Sequence, residues 1–328
     1  MTVETGEKSV AALVAQVSSG EILLPEIQRA YVWKPTQVAK LIESLYRGYP
    51  SGSLLLWCAP EAPRTRPMAG DAPSGTPTVQ PLYLLDGQQR LTSLRRVMDD
   101  DEKAQIVFNV ETEQFQNQSA ATGKDPRWAK VYDLFRPDAS VLDVWRRFED
   151  MNLTVDSFTI GKRLEKLARV PHYMYHLQVI KNLPYEEVAQ IFVRVNSGGR
   201  ALKTTDLALA TLSARWPGVL KKLEDEATHW RERQYGDLDV TFLTRALTGA
   251  VLGRGLSAWS HTRLAAASDE ELERGWASVR RGLKDLVPLL KQNLGATHSS
   301  VLPSINALLP LMVLLGGRAQ GAARDTDR

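Results

Sequence analysis

The sequence predicts an α/β front half followed by a mainly helical region, and three observations carry that reading. Two short apolar runs, Ser53–Trp57 and Leu82–Leu85, flank a stretch rich in Pro, Gly, Ala and Thr at residues 59–81, and both read as buried strands. Residues 36–47 place Val38, Leu41, Ile42 and Leu45 on one helical face, with Gly48 as the stop. From about Trp216 onward the apolar spacing is helical throughout.

Taken in order, Val10–Val17 reads as a short helix and Glu21–Leu24 as an extended segment. The helix at 36–47 and the strand at Ser53–Trp57 follow. Residues 59–81 read as a surface loop inserted within the first domain, because strand pattern resumes at Leu82. That strand runs directly into Asp86-Gly87 and a helix carrying Leu91, Leu94, Val97 and Met98. Gln105–Val110 looks like a third strand, and residues 124–155 show no clear period. Ser157–Ala168 reads as a helix, Tyr173–Ile180 as a strand, and Pro184–Val195 as a helix opened by proline. Ser197-Gly198-Gly199 breaks it, and Thr204 and Thr205 offer caps for a helix over Asp206–Ala214. The expected organisation is a first domain over 1–150 and a mainly helical portion over 151–328. The charged, small-residue end from Gly316 reads as a flexible terminus or as the junction to a longer protein.

Bulk properties exclude several classes. The 328 residues carry a net charge of +3, so DNA contact requires a local patch. One cysteine, Cys58, rules out an internal disulfide and a cysteine-built zinc site. The N-terminus lacks a signal-peptide pattern, and no apolar run approaches a membrane span, so the cytoplasm is the expected compartment and no membrane partner is expected. His172 and His176 are four apart, but their segment reads as a strand, which makes them structural rather than metal ligands. No GxxxxGK[ST] loop or nucleophile elbow occurs.

Three polar motifs remain. In Leu84–Thr92 a strand ends, Gly87 turns, and a helix begins over Gln88, Gln89 and Arg90. Helix N-termini attract phosphate, Arg90 has the fork geometry to grip it, and Asp86 could orient a metal ion or an attacking water. The alternative is a tight turn with Asp86 as a cap. The second motif, Pro25–Trp33, sets Gln28 and Arg29 beside Tyr31, Val32 and Trp33. It reads either as a phosphate and base contact or as core aromatics with a surface arginine. In the third, Phe192–Leu207, the Asn196–Asp206 turn carries Arg200 between two glycines and Asp206. It reads as a ligand loop or as a helix C-cap.

In this order the motifs resemble the DUF262 family, through Gln28-Arg29-Ala30-Tyr31-Val32-Trp33, Asp86–Thr92 and Phe192–Leu207, supported by Pro50–Trp57. The resemblance covers roughly residues 10–215. It implies a ParB/sulfiredoxin-like N-terminal domain followed by the helical region, as in GmrSD-type and SspE-type defence proteins that act on modified DNA, including phosphorothioate DNA. It further implies hydrolysis of an NTP, with a lean to GTP, accompanied by Mg2+ and with no tightly bound cofactor.

On that resemblance Asp86, Arg90 and Gln89 are expected to be catalytic, with Asp86 the possible metal ligand through water. Gln28, Arg29, Ser53, Gly87, Gln88, Asn196, Arg200 and Asp206 are expected to bind nucleotide, and the Asn196–Asp206 motif to fold back beside the first domain. Pro25, Tyr31, Val32 and Trp33 are expected to sense DNA. In such proteins an HNH nuclease domain usually follows. His298 stands without that pattern, so the nuclease is expected in a longer chain or a partner protein. Two other classes stand beside this reading: a DNA- and nucleotide-binding module without turnover, and a redox enzyme of sulfiredoxin type. The latter needs a reactive cysteine in the phosphate-binding turn, whereas Cys58 lies elsewhere.

Overall fold

The apolar runs pair as strands, and the N-terminal segment joins them. The structure, a computed structural model, describes residues 2–28, 31–63, 65–66, 68, 80–196, 204–253 and 260–317. Its first elements are β1 (Thr2–Ser9), α1 (Val10–Ser18), β2 (Ile22–Pro25), α2 (Pro35–Tyr46), β3 (Leu54–Cys58), β4 (Thr65–Arg66), β5 (Leu82–Asp86) and α3 (Gln88–Met98). β6 (Ile106–Asn109), β7 (Phe115–Asn117), α4 (Ala120–Lys124), β8 (Trp128–Lys130), α5 (Tyr132–Phe135), α6 (Val141–Glu149), α7 (Ser157–Ala168) and β9 (Met174–Lys181) follow.

Six of these strands form one mixed sheet in the order β1-β9-β3-β5-β2-β4. β3 runs parallel to β9 and antiparallel to β5, which in turn runs parallel to β2. The register sets Leu54 opposite Leu177 and Leu56 opposite Leu84, so the apolar runs meet side by side. The starts of β3 and β9 and the ends of β5 and β2 therefore share one end of the sheet. α1 is capped by Ser9, whose side chain accepts from Ala12 N, and buries Val10, Leu13, Val14 and Val17. α2 starts at Pro35 and buries Val38, Leu41, Ile42 and Leu45, the face expected from spacing. These residues join one core with Leu84, Leu91, Leu94 and Leu177.

Gln105–Val110 contributes a strand, but to a separate three-stranded sheet ordered β7-β6-β8. Strand β1 escaped the sequence reading because most of its residues are exposed, so it has no buried period to show. Residues 59–81 hold β4, which pairs with Leu24 and Pro25, while 69–79 lie outside the described residues.

The chain divides into a unit of Met1–Leu183 and a unit of Pro184–Arg328. The division falls after β9 rather than near residue 150, because β9 lies between β1 and β3 and completes the sheet. The second unit is α8 (Tyr185–Asn196), α9 (Thr204–Arg215), α10 (Val219–Arg231), α11 (Val240–Leu252), α12 (Ser260–Ala265), α13 (Asp269–Leu294) and α14 (Leu308–Gly317). Its own core joins Leu212, Leu223, Leu243, Leu247, Leu272 and Leu286. Thr204 and Thr205, expected as caps, are the first residues inside α9. No helix among the described residues is long and apolar enough to cross a membrane.

Candidate functional site

Asp86 ends β5, and Gly87 turns the chain into α3 with φ +96°. A Cβ on Gly87 would stand 2.2 Å from Leu54 Cδ2, so the glycine is required by the approach of β3 and by its backbone. Arg90, one turn into α3, reaches back to Asp86 Oδ2 at 2.9 Å. It also donates to Ser51 O at 2.7 Å and Ser53 O at 2.8 Å. Gly52, with φ +83°, leaves room for this grip, since a Cβ there would stand 2.7 Å from Arg90 Nη1. The guanidinium expected to hold phosphate is thus closed on the Ser51–Ser53 turn and Asp86, with its side chain 15% exposed. Three acceptors within one turn's reach explain the closure, because a sequestered guanidinium is stable only when its donors are satisfied.

Behind the turn, Tyr175 of β9 is buried. Burial raises its hydroxyl above the usual tyrosine value, opposed by Ser51 and by the Arg90 charge. Ser53 enters the site through its carbonyl, just before β3. Gln88 is buried rather than solvent-facing.

The Pro25–Trp33 segment is bonded to this same motif. Gln28, buried, donates from Nε2 to Leu84 O and Leu85 O, both at 2.8 Å. Gln89 Oε1 accepts from Val32 N at 2.9 Å and Trp33 N at 3.1 Å. In this arrangement Gln89 braces the strap at 31–33. The Tyr31 hydroxyl meets Ser93 Oγ at 2.8 Å, and the Arg96 guanidinium lies 4.2 Å from the Tyr31 ring centroid.

The structure divides the expected DNA-sensing group. Val32 is 55% exposed, Tyr31 is half-buried, and Trp33 packs against the core. Pro25 is a correction: it is buried in β2 opposite Thr65, because the strand it ends lies inside the sheet. Arg29 lies outside the described residues.

The third motif falls in the second unit. Asn196 ends α8, residues 197–203 with Arg200 lie outside the described residues, and Asp206 is exposed in the first turn of α9. Thr205 is buried, and its hydroxyl accepts from Arg245 Nε at 3.2 Å.

Among the described residues no group of three His, Cys, Asp or Glu side chains is placed to hold a metal ion. His176 meets Glu7 Oε1 at 2.8 Å on the exposed face of the β1–β9 pair. Sequence reading missed Ser51, Ser93, Arg96 and Tyr175. The signal for two of them was present: Ser93 and Arg96 follow Gln89 at helical spacing, which puts all three on one face of α3.

Fold and site together define a mixed α/β unit whose central strand ends in a polar strand–turn–helix motif, braced by a second polar strap. The chain belongs to the family of the GmrSD restriction endonuclease N-terminal domain, whose model matches residues 10–213. It is therefore a restriction-system module by family. No curated protein matches the sequence significantly.

Proposed function

We propose that the chain binds and hydrolyses a nucleoside triphosphate in response to modified DNA, and that this signal licenses a nuclease in a longer chain or a partner protein. One observation carries the proposal. Two polar motifs far apart in sequence meet at one end of the sheet, with Gln28 bonded to the carbonyls of Leu84 and Leu85. Strand ends that open onto a helix N-terminus are where α/β folds gather ligands, and the positive end of α3 favours phosphate.

Asp86 is proposed to orient the attacking water. Arg90 is proposed to exchange its backbone acceptors for phosphate oxygens when nucleotide arrives. Arg29, Asn196, Arg200 and Asp206 are proposed to take part in nucleotide binding, and Tyr31 with Val32 to meet DNA. A phosphorothioate offers a larger, softer and less hydrated atom than oxygen, which suits an apolar surface such as exposed Val32. Mg2+ accompanies NTP in such chemistry. Among the described residues no cluster of His, Cys, Asp or Glu side chains makes a metal site, and Asp86 Oδ2 is already bonded to Arg90.

Phosphate release from each NTP, measured with phosphorothioate DNA, with unmodified DNA and without DNA, tests the proposal. Release raised by modified DNA is expected, with Asp86→Asn losing turnover while still binding nucleotide. Absence of release from every NTP overturns it. A second reading, binding without turnover, is favoured by the Asp86–Arg90 ion pair, in which the two proposed catalytic groups satisfy each other. Nucleotide retention without phosphate release selects that reading.

A further inference from the structure

The α3 helix presents two sets of polar side chains to two different segments. Arg90 holds the Ser51–Ser53 turn and Asp86. Gln89, Ser93 and Arg96, spaced for one helical face, hold residues 31–33. Tyr31 is gripped twice. Its hydroxyl is tied to Ser93 Oγ, which itself donates to Gln89 O at 2.6 Å. Its ring faces the Arg96 guanidinium at 4.2 Å, and Arg96 is held in turn by Asp101 Oδ2 at 3.2 Å. The Arg96 side chain is only 12% exposed, so the ring contact is shielded from solvent, where a cation–aromatic pair is worth most. A half-buried tyrosine fixed at both ring and hydroxyl has little freedom of its own. Both of its partners lie on the helix that starts after the Asp86-Gly87 turn.

We propose that Arg96, assisted by Ser93, is a positioning residue that holds Tyr31 for DNA contact and links that contact to the Asp86–Arg90 turn through α3. The inference rests on the reading above, in which Tyr31 meets DNA and the turn meets nucleotide.

The test compares phosphate release with and without phosphorothioate DNA, and the half-saturating DNA concentration, for the full chain and its variants. Arg96→Met keeps the volume and removes the charge, Arg96→Lys restores a cation, and Ser93→Ala removes the hydroxyl partner. Arg96→Met is expected to lower the ratio of stimulated to unstimulated rate by about tenfold and to raise the half-saturating DNA concentration. Arg96→Lys should recover most of the ratio, and Ser93→Ala should lower it by about threefold. A wild-type ratio in Arg96→Met, or a parallel fall of both rates that lysine does not rescue, overturns the inference. Should Arg96→Met fail to fold, Arg96→Lys and Ser93→Ala decide: a wild-type ratio in Ser93→Ala overturns it equally. Absence of any DNA response in the wild-type chain overturns the underlying reading, and that outcome is visible before any variant is made.

Discussion

Arg90 makes three short polar bonds inside the fold, so its removal carries a structural cost whatever its chemistry. Arg90→Ala should destabilise the first unit by roughly 2–4 kcal/mol, since bonds to charged groups are worth more than neutral ones and partly exposed pairs are screened. Urea denaturation measures this, and an unchanged midpoint would remove the clamp role. Lost activity in Arg90→Ala is thus interpretable only beside that stability, whereas Asp86→Asn changes one oxygen of an acceptor that is 35% exposed.

A second residue-scale expectation concerns Asp125, whose carboxylate accepts from Arg127 at 2.8 and 2.9 Å and from Trp128 Nε1 at 3.2 Å. These bonds, those from Arg127 foremost, lower its pKa to about 2. A lowered folded pKa means that the contribution is present above the unfolded value of about 4 and lost as pH falls through the folded one. The melting temperature of Asp125→Asn should therefore lie below wild type at pH 7, with the gap closing as pH approaches 2.

At the scale of elements, the strap at 31–33 is held by side chains of α3. The Val32 and Trp33 amides bond to Gln89 Oε1, so Gln89→Ala should speed hydrogen exchange at both without speeding it in β5. Equal exchange rates in variant and wild type would show that other contacts hold the strap. The β5–α3 junction tolerates no side chain at Gly87, where positive φ and the Leu54 methyl coincide. Gly87→Ala should cost roughly 2–4 kcal/mol in a denaturant melt, strain and overpacking together. The strand–turn–helix was legible in the order Leu84-Leu85-Asp86-Gly87 because the apolar run stops at the residue that turns. The grip of Arg90 on Ser51 and Ser53 was not legible, since those acceptors are backbone atoms 39 and 37 residues away.

At the scale of the molecule, the two cores share no residue, one lying within Met1–Leu183 and the other within Pro184–Arg328. A chain ending at Leu183 should therefore fold, with a cooperative thermal transition by circular dichroism. A chain ending at residue 150 should not, because it loses β9 and α7, and with them the partner of both β1 and β3. Cooperative melting of the shorter chain would contradict the central place given to β9.

Local order alone determined much of this protein. Apolar periods located β3, β5, α2 and α7, and the clustering of Asp86, Gln89 and Arg90 at a strand end marked the candidate site. Those features are readable because a period or a turn is written in adjacent residues. Pairing across the sheet was decided by tertiary structure, which extended the first unit to Leu183 and buried Pro25. It also turned Gln89 and Arg90 inward to bond with the backbone of segments far along the chain. Hydrogen-bond partners contributed by distant backbone leave no trace in composition or spacing, because any residue type supplies the same carbonyl or amide.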